Sequence, residues 1–491
     1  MPTEVASHAR RPDASIDVDR MLNEHSRDQL PRLSRYWRYY RNAASRRTAE
    51  GRLLPAQVEG LPARLRQSGN GEGTRREVVI ENDIAWRIHA MVDFMFGRQV
   101  GIRSTAHDPT RAEAMTSLLN AVFQHNGGID FFHNLALLGS IYGHADVLLR
   151  LRGTATAGGG SGAGPAAAAW RFRLEVIDPL RGVPAISEAD YRKLDAFAVR
   201  DRPGTLRVGS GHWRERLGRI GRRLTQRAGE PVERIELWTP ERYRLLTRRG
   251  SPGSRRVLRE SVNRLGRIPV VHIQNLPQPF FYEGLGEVEP LIALQDELNT
   301  RLSDRAHRVT MQSFKMYLGK GIDGFLDRAV GPGQMWTTDN PDASIEAFGG
   351  DADSPSESAH IQEIREALDK ASGVSPVAAG MVGGRVGNLT SENAIRIVLM
   401  GLVAKTEKKR TTYGRGIERL CELVLDAADK LGVLPNDPED RGVQLDWPNP
   451  IPLDDTQTLR NAALKREVGV PQRDVLAELG YGPAAPNPAS D

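Results

Sequence analysis

The stretch GEVEPLIALQDELNTRLSDRAHRVTMQS, from Gly286 to Ser313, determines the architecture we expect. Its apolar side chains recur every three or four residues, which predicts one helix of roughly 42 Å. The stripe consists of Leu291, Leu294, Leu298, Leu302, Ala306 and Val309. A helix this long with one narrow apolar stripe needs a neighbour along its whole length.

The following residues, 314–353, are rich in Gly and Asp and contain short strand-like runs. These runs are Phe314–Tyr317, Gln334–Thr338 and Ser344–Phe348. A second helix then begins at Ser354-Pro355-Ser356-Glu357, a capping box with proline at the first helical position. It presents Ile361, Ile364 and Leu368 on one face and ends at Gly373. The pattern predicts a small β unit at the tip of a two-helix stalk.

A glycine-rich loop, Val377–Leu389, follows the second helix. Its glycines are Gly380, Gly383, Gly384 and Gly387. The loop has no Lys-Ser or Lys-Thr pair after the glycines, so it is not a phosphate-binding loop of an ATPase.

A long helix is expected from Thr390, with apolar Ile395, Val398, Leu399 and Leu402. It passes a cationic middle at Lys405, Lys408, Lys409 and Arg410. Gly414 and Gly416 then predict a kink, because glycine weakens a helix interior. A strand, Val443–Trp447, follows.

The N-terminal half mixes helices with an antiparallel β region. Helices are expected at Val78–Gly97, Pro109–Gln124 and Ile129–Tyr142, and strands at Ala145–Leu151, Trp170–Ile177, Leu194–Val199, Val232–Thr239, Tyr243–Thr247 and within Leu265–Asn275. The segment Gly153–Ala169 holds almost only small residues and is expected to be a flexible loop. It is not a dinucleotide fingerprint, since a strand and not a helix follows it.

Three segments allow a nucleic-acid interpretation beside a structural one. Tyr36, Trp37, Tyr39 and Tyr40 alternate with arginines and could stack on bases, but an amphipathic helix is favoured. The arginine-rich run Arg207–Arg227 could bind phosphates, although a solvated insertion is favoured. The expected helices Asp455–Glu467 and Pro471–Leu479 could form a helix-turn-helix, yet Arg473 is the only evident reader of DNA in the second.

Composition excludes several classes of protein. The 491 residues carry 67 Lys and Arg against 62 Asp and Glu, a net charge of +5, which is far from a polycation. One cysteine, Cys421, excludes a disulfide framework or a cysteine-based zinc site. The sequence shows neither a membrane-spanning run nor a signal peptide, so cytosolic synthesis is expected. Common catalytic motifs are missing, the histidines are scattered, and Asp93 and Asp146 have no acid or base partner by spacing.

The order of these features resembles the portal proteins of tailed bacteriophages over most of the chain. The matching pieces are Tyr39-Tyr40, the helix Asn82–Gly97, Ile141–Ala145, Leu265–Val271, Gly284–Asn299, Ala371–Pro376, Gly387–Ala394, and Trp447–Pro450 ahead of a helix pair joined at Gly469-Val470. The two insertions, Gly153–Ala169 and Arg207–Arg227, depart from the family.

The resemblance implies an α+β portal-type fold in a ring of about twelve subunits, each burying its stem stripes against its neighbours. Its parts would be a mixed α/β wing at 1–285 carrying the insertions 153–169 and 207–227, a stem of helices 286–313 and 354–376, a β-rich clip at 314–353, a tunnel loop at 377–389, the kinked wing helix and returning strand at 390–452, and a helical crown at 453–491.

The resemblance also implies a mechanical role at one vertex of the virion, after assembly in the host cytoplasm. Double-stranded DNA would pass through the ring during packaging and ejection, facing Gly380, Gly383, Gly384, Arg385, Gly387, Asn388 and Thr390. The implied partners are the large terminase, a head-completion adaptor, and the major capsid and scaffolding proteins. No enzyme activity, cofactor, metal or membrane is implied. The alternatives are a DNA-binding or DNA-processing accessory protein and a monomeric scaffolding protein.

Overall fold

Helices and antiparallel strands alternate along the chain. The computed structural model describes residues 17–47, 53–66, 77–152, 165–188, 190, 192–201, 232–249, 255–313, 316–320, 341–348, 355–379, 397–450, 455–472, 475–476 and 479. The α-helices are α1 Val18–Glu24, α2 Leu30–Arg41, α3 Ala63–Arg66, α4 Asp83–Phe96, α5 Pro109–His125, α6 Ile129–Tyr142, α7 Ile292–Ser313, α8 Pro355–Ser372, α9 Met400–Lys430 and α10 Asp455–Glu467. A π-helical turn, His25–Gln29, joins α1 to α2.

The strands form small antiparallel sheets. They are β1 Ala44–Arg47, β2 Leu53–Pro55, β3 Gly101–Ser104, β4 His144–Leu151, β5 Phe172–Ile177, β6 Gly182–Ile186, β7 Leu194–Asp201, β8 Val232–Trp238, β9 Arg242–Arg249, β10 Arg255–Val262, β11 Val270–Gln274, β12 Met316–Lys320, β13 Ser344–Phe348 and β14 Val443–Asp446. The sheet orders are β10-β9-β8-β7-β6, β11-β4-β5 and three pairs, β1-β2, β12-β13 and β14-β3.

The main core lies between α4, α5, α6, the sheet β11-β4-β5 and the second half of α9. The side chain of Asn82 caps α4 at the backbone N–H of Ala85. Gly143, at a φ of 93°, ends α6 and turns the chain directly into β4. These elements confirm the helices predicted at Pro109–Gln124 and Ile129–Tyr142 and the strand after them, whereas the helix predicted from Val78 begins only at Asp83.

The five-stranded sheet packs between two apolar layers. One layer contains Val18 and Leu22 of α1 against Ile235 of β8. The other contains Leu148 of β4 against Phe197 of β7. Two of its strands, β6 and β10, lie at its edges and were not expected from the sequence.

The stalk helices α7 and α8 pack together, and the strand pair β12-β13 lies between them in the sequence. The α-helix begins at Ile292 and not near Gly286, because Glu289–Leu291 forms a 3-10 turn around Pro290. Leu291 in this turn and Leu298 in α7 are fully buried, and so is Leu368 of α8. Ile361 and Ile364 are 5 % exposed, while Leu294 and Leu302 are partly buried.

Much of both stripes is thus buried inside one subunit, because α7 and α8 cover each other and also pack on the core of the same chain. Val309, at the far end of the α7 stripe, is 51 % exposed. The expectation that neighbouring subunits cover the stripes stays a prediction.

The α-helical assignment of α9 runs without interruption through Gly414 and Gly416. A Cβ atom at position 416 would lie 2.5 Å from the side chain of Ile273, whereas one at position 414 would have no atom closer than 3.7 Å. Gly416 therefore allows α9 to approach β11 closely. The bend at these glycines stays a prediction.

One further expectation is confirmed, and another is wrong in part. The aromatic N-terminal segment is the amphipathic helix α2, in which Tyr36 and Tyr39 are each 4 % exposed. The small-residue segment expected to be a loop up to Ala169 instead enters a 3-10 turn at Pro165–Arg171, which packs on α5 and buries Ala169.

Several predicted segments lie outside the described residues. They are 153–164, the arginine run 207–227, the strand Gln334–Thr338, the loop from Gly380 to Leu389, the start of the long helix at residues 390–396, and most of the helix Pro471–Leu479.

Candidate functional site

The residues that the resemblance places against DNA all lie in the part of the chain that the structure does not describe. They are Gly380, Gly383, Gly384, Arg385, Gly387, Asn388 and Thr390. The two flanks of this segment are described. One is the 3-10 turn Pro376–Ala379, and the other leads into α9.

Both flanks pack on the same small apolar cluster. Val374 precedes the segment, Leu399 and Leu402 follow it, and all three are buried against Met91 of α4. The described residues on either side of 380–396 therefore meet at one place on the body of the protein. Residues 380–396 include most of the tunnel loop that the resemblance implies at 377–389, and they are called the channel loop below; the cluster with its neighbouring ion pairs is its root.

Lysine side chains on α9 tie the root together. Nζ of Lys405 donates to the carbonyl oxygen of Ser372 at 2.7 Å and also contacts the carboxylate of Glu287. Nζ of Lys409 lies 2.9 Å from Oε1 of Glu287 and donates to Oγ of Ser140 at 3.1 Å. Lys409 thus links α9 to α6, and Lys405 links α9 to the C-terminal end of α8. Both lysines share the carboxylate of Glu287.

Burial and charge act in opposite directions at this carboxylate. Burial alone would raise the pKa of Glu287, but the nearby ammonium groups of Lys409 and Lys405 lower it overall. For Lys409, burial lowers the pKa, and Glu287 offsets only part of that effect. Two cations facing one anion inside the protein make the root sensitive to the loss of Glu287.

A second buried charge fixes the end of α8. The guanidinium of Arg87 on α4 donates to Asp369 at 2.6 Å and to the carbonyl oxygen of Val374 at 2.8 Å. It also lies 3.3 Å from Asp83 and stacks 4.4 Å from the ring centroid of Trp86. Arg87 is 3 % exposed, so the stalk joins the body through a desolvated arginine whose two terminal nitrogens are hydrogen-bonded.

A row of polar side chains joins α7 to an extended segment before α4. Gln295, Asn299 and Ser303 accept hydrogen bonds from the backbone N–H groups of Asp83, Glu81 and Val79 at 2.9–3.0 Å. Four helical residues rise about 6.0 Å and two extended residues about 6.6 Å, so every fourth side chain meets every second peptide. Because all three side chains are fully buried, the row fixes the register of the stalk.

The sequence signal for this row was uncharged polar residues at i, i+4 and i+8 on α7. The predictions above rest on the apolar stripe of α7 and do not include the polar row beside it. Lys405 and Lys409 were noticed only as part of a cationic middle, and nothing local indicates that Glu287 pairs with them.

A third polar cluster supports the segment between β11 and α7. Nδ1 of His272 lies 2.8 Å from Oδ1 of Asp146, and the hydroxyl of Tyr282 donates to the same Oδ1 at 2.7 Å. The rings of His272 and Tyr282 stack with their centroids 3.7 Å apart. Asp146 is fully buried, and burial would raise its pKa, but His272 lowers it overall. The cluster holds the segment between β11 and α7 in place.

The described ranges bear on two further kinds of function, metal binding and membrane insertion. They contain no group of three or more His, Cys, Asp or Glu side chains arranged to hold a metal ion. Among the same residues, no helix is both long and apolar enough to cross a membrane.

Comparison with known proteins identifies a family. A family model described as "Phage portal protein, SPP1 Gp6-like" matches residues 19–479. No curated protein matches the chain in sequence.

Two solved structures are similar to the chain. One is titled "Virion of native gene transfer agent (GTA) particle", with 11 % identity, a TM-score of 0.41, and coverage of 92 % of this chain and 100 % of that one. The other is titled "Neck of empty GTA particle computed with C6 symmetry", with 12 % identity, a TM-score of 0.41, and coverage of 82 % and 91 %. Nothing further rests on these two likenesses. The match to the family model covers most of the sequence, and we conclude that the chain belongs to the phage portal protein family of the SPP1 Gp6 type.

Proposed function

We propose that the chain forms a closed ring at one vertex of a tailed-phage capsid, and that the ring is the channel for double-stranded DNA during packaging and ejection. The observation that carries this proposal is the portal family match over residues 19–479. About twelve copies would close the ring by repeated head-to-tail contacts. The role is mechanical, and ATP hydrolysis belongs to the terminase.

The proposal assigns a part of the ring to each segment. Residues 1–285 and 390–452 would form the wing, α7 and α8 the stem, and residues 314–353 the clip that docks the large terminase and later the head-completion adaptor. Residues 453–491 would form the crown. The wing would contact the major capsid and scaffolding proteins during assembly in the host cytoplasm.

The root of the channel loop supports this assignment. A loop that touches moving DNA needs a fixed base, and the flanks of residues 380–396 meet on the buried cluster around Met91. Lys405 adds a hydrogen bond to Ser372 across that base. A force on the loop would therefore be transmitted to α4, α8 and α9 together.

The charge of the chain also suits a conduit. Binding to DNA through many phosphate contacts releases counterions and tightens steeply with each added cation, which would resist translocation. A net charge of +5 on 491 residues avoids such a lining. The guanidinium of Arg87 is likewise committed to the carboxylate of Asp369 within the subunit.

Cross-linking inside assembled particles tests the channel. A photoreactive amino acid in place of Arg385 should attach to packaged DNA of any sequence, whereas the same residue in place of Glu422, on the exposed side of α9, should not. Particles that package DNA normally but give no adduct at position 385, or give equal adducts at both positions, would contradict the proposal. DNA binding by isolated monomers that never enter particles would favour an accessory DNA-binding protein.

A further inference from the structure

A cavity of about 200 Å³ lies beside the N-terminal helices, and none of its described lining residues belongs to the root of the channel loop. Its walls come from α1, the π-helical turn His25–Gln29, α2, β4, β6 and the loop between β11 and α7. A cavity of about 150 Å³ takes a molecule the size of benzene, so this one takes a ligand of about eight non-hydrogen atoms. It is called the arm cavity below.

Two buried histidines line the arm cavity. His25 is 7 % exposed and His144 is 5 % exposed. Nε2 of His25 lies 2.9 Å from the carbonyl oxygen of Pro179. Because a carbonyl oxygen only accepts, Nε2 carries the proton, and Nδ1 of the neutral ring is then an acceptor. Nδ1 of His25 and Nδ1 of His144 are both buried without a hydrogen-bond partner among the described residues.

Both rings are neutral at neutral pH. Burial lowers the pKa of His25 from its ordinary value, although the carbonyl group of Pro179 offsets part of that effect. Burial also lowers the pKa of His144, to about 3. Neither ring therefore brings a positive charge to the cavity. A buried polar atom without a partner costs free energy, which a ligand that donates a hydrogen bond would recover.

Three carboxylates form the more exposed part of the lining. Glu24 and Asp28 belong to the N-terminal helical segment, and Glu283 belongs to the loop between β11 and α7. Their side chains are 50 %, 51 % and 29 % exposed. No lysine or arginine occurs among the described lining residues. The lining thus carries three negative charges and no positive charge, which favours a cationic ligand.

Arginines outside the cavity contact these carboxylates without filling it. Arg20, Arg27 and Arg32 each approach one carboxylate, at 2.9, 2.7 and 3.8 Å. Their side chains are at least 42 % exposed, and ion pairs between such exposed groups contribute little. A carboxylate also accepts several hydrogen bonds at once, so a ligand can share it with an arginine. A fourth arginine, Arg200, is held by the buried Glu233 at 2.7 Å.

Most of the remaining lining is apolar. Leu33 is 3 % exposed and Val183 is 2 % exposed, and the ring of Tyr282 lies beside them in the lining. The hydroxyl of Tyr282 already donates to Asp146, so its polar end is not available to a ligand. Apolar walls with a few polar groups are typical of small-molecule sites.

We propose that the arm cavity binds a small molecule with an alkylammonium or alkylguanidinium group. The N–H groups of such a cation supply the hydrogen bond that Nδ1 of His25 lacks. Glu24, Asp28 and Glu283 supply the opposite charge, and the apolar walls take the alkyl chain. The inference goes beyond the proposed ring and does not depend on it, because the described lining belongs to one chain.

Calorimetry on unassembled subunits at neutral pH tests the binding, with butylguanidinium as the probe. Its Kd should be about 1 mM or below, as expected for a ligand of this size. Butylurea has the same shape and no charge, so it is the matched control and should bind at least about tenfold more weakly. No binding of butylguanidinium at several millimolar, or equal binding of both compounds, would overturn the inference.

A variant tests the part played by the carboxylates. The double substitution Asp28→Asn and Glu283→Gln should weaken the binding of butylguanidinium by about tenfold. The thermal midpoint of the free protein should change little, because both side chains are partly exposed. Glu422→Gln is the control, since Glu422 does not occur in the described lining and should leave the affinity unchanged. An unchanged affinity in a folded double variant would overturn the inference.

Nuclear magnetic resonance of ring-labelled histidine tests the place of binding. Butylguanidinium should shift the ring signals of His25 and His144, each assigned by its loss in a His→Gln variant. The signal of His360, which lies on α8 and is 49 % exposed, should not shift. Binding that leaves the signals of His25 and His144 unchanged would place the ligand elsewhere and overturn the inference. Failure of these tests would leave the proposed ring standing, since no measurement here involves assembly.

Discussion

Replacing Glu287 by Gln keeps the shape of the buried side chain and removes the carboxylate that Lys405 and Lys409 share. Lys409 is 0 % exposed and Glu287 is 6 % exposed, so Lys409 cannot be solvated without local opening at the root of the channel loop. Breaking a buried ion pair from one side costs roughly 3–5 kcal/mol. We expect Glu287→Gln to lower the free energy of unfolding by that amount.

The opposite substitution should cost less. Lys409→Met leaves Glu287 with Lys405 as a one-to-one pair and removes a buried excess positive charge. The remaining loss is the hydrogen bond to Ser140, about 1–2 kcal/mol. The structure therefore predicts an asymmetry between two partners of the same ion pair.

Urea unfolding of unassembled subunits, followed by tryptophan fluorescence, measures this asymmetry. Glu422→Gln is the control, because its pair with Arg267 is long at 3.5 Å and both side chains are nearly half exposed. The control should shift the midpoint little. A loss of stability in Lys409→Met equal to or larger than that in Glu287→Gln would refute the reasoning.

Substitutions at three other sites test separate parts of the fold. Ile364→Ala in α8 should destabilise even the isolated subunit by about 2–5 kcal/mol, because the side chain is buried within one chain. Urea unfolding measures this loss. A variant that loses stability only when rings form would contradict the burial of Ile364 within one chain. Burial lowers the pKa of His144 to about 3, whereas the unfolded value is near 6.5. The unfolded state therefore takes up the proton first, and stability should fall as the pH drops from 6.5 toward 3, with a shallower fall in His144→Asn. Gly416→Ala should lower the thermal midpoint because the new methyl group clashes with Ile273, and Ile273→Ala should restore part of the loss. Gly414→Ala should leave the midpoint equal or higher. Equal losses at both glycines would contradict the packing role of Gly416.

Helices with strong apolar periodicity were predictable from the sequence, and edge strands were not. The spacing of apolar residues located α4, α5 and α6 to within a few residues, since burial of one face explains each of them. The strand β10 was missed because its sequence RRVLRESV is mostly exposed and charged. The strand β6 was missed because it contains Pro184, which is tolerated at a sheet edge.

The polar contacts of the site were largely beyond sequence reasoning. Lys405 and Glu287 are 118 positions apart, and His272 and Asp146 are 126 apart, so no local spacing indicates either pair. They meet because the fold brings α9 and β11 to the same core. The row Gln295, Asn299 and Ser303 could have been noticed from its helical period, yet its partners are backbone groups, which every sequence possesses.

Imaging the assembled protein tests the central claim most directly. Negative-stain electron microscopy beside native mass measurement, on the purified chain and on the chain co-expressed with its capsid proteins, would show the state of assembly. The account predicts closed rings of a single subunit number with an axial hole wide enough for duplex DNA. Monomers at all protein and salt concentrations, with and without the capsid proteins, would contradict it.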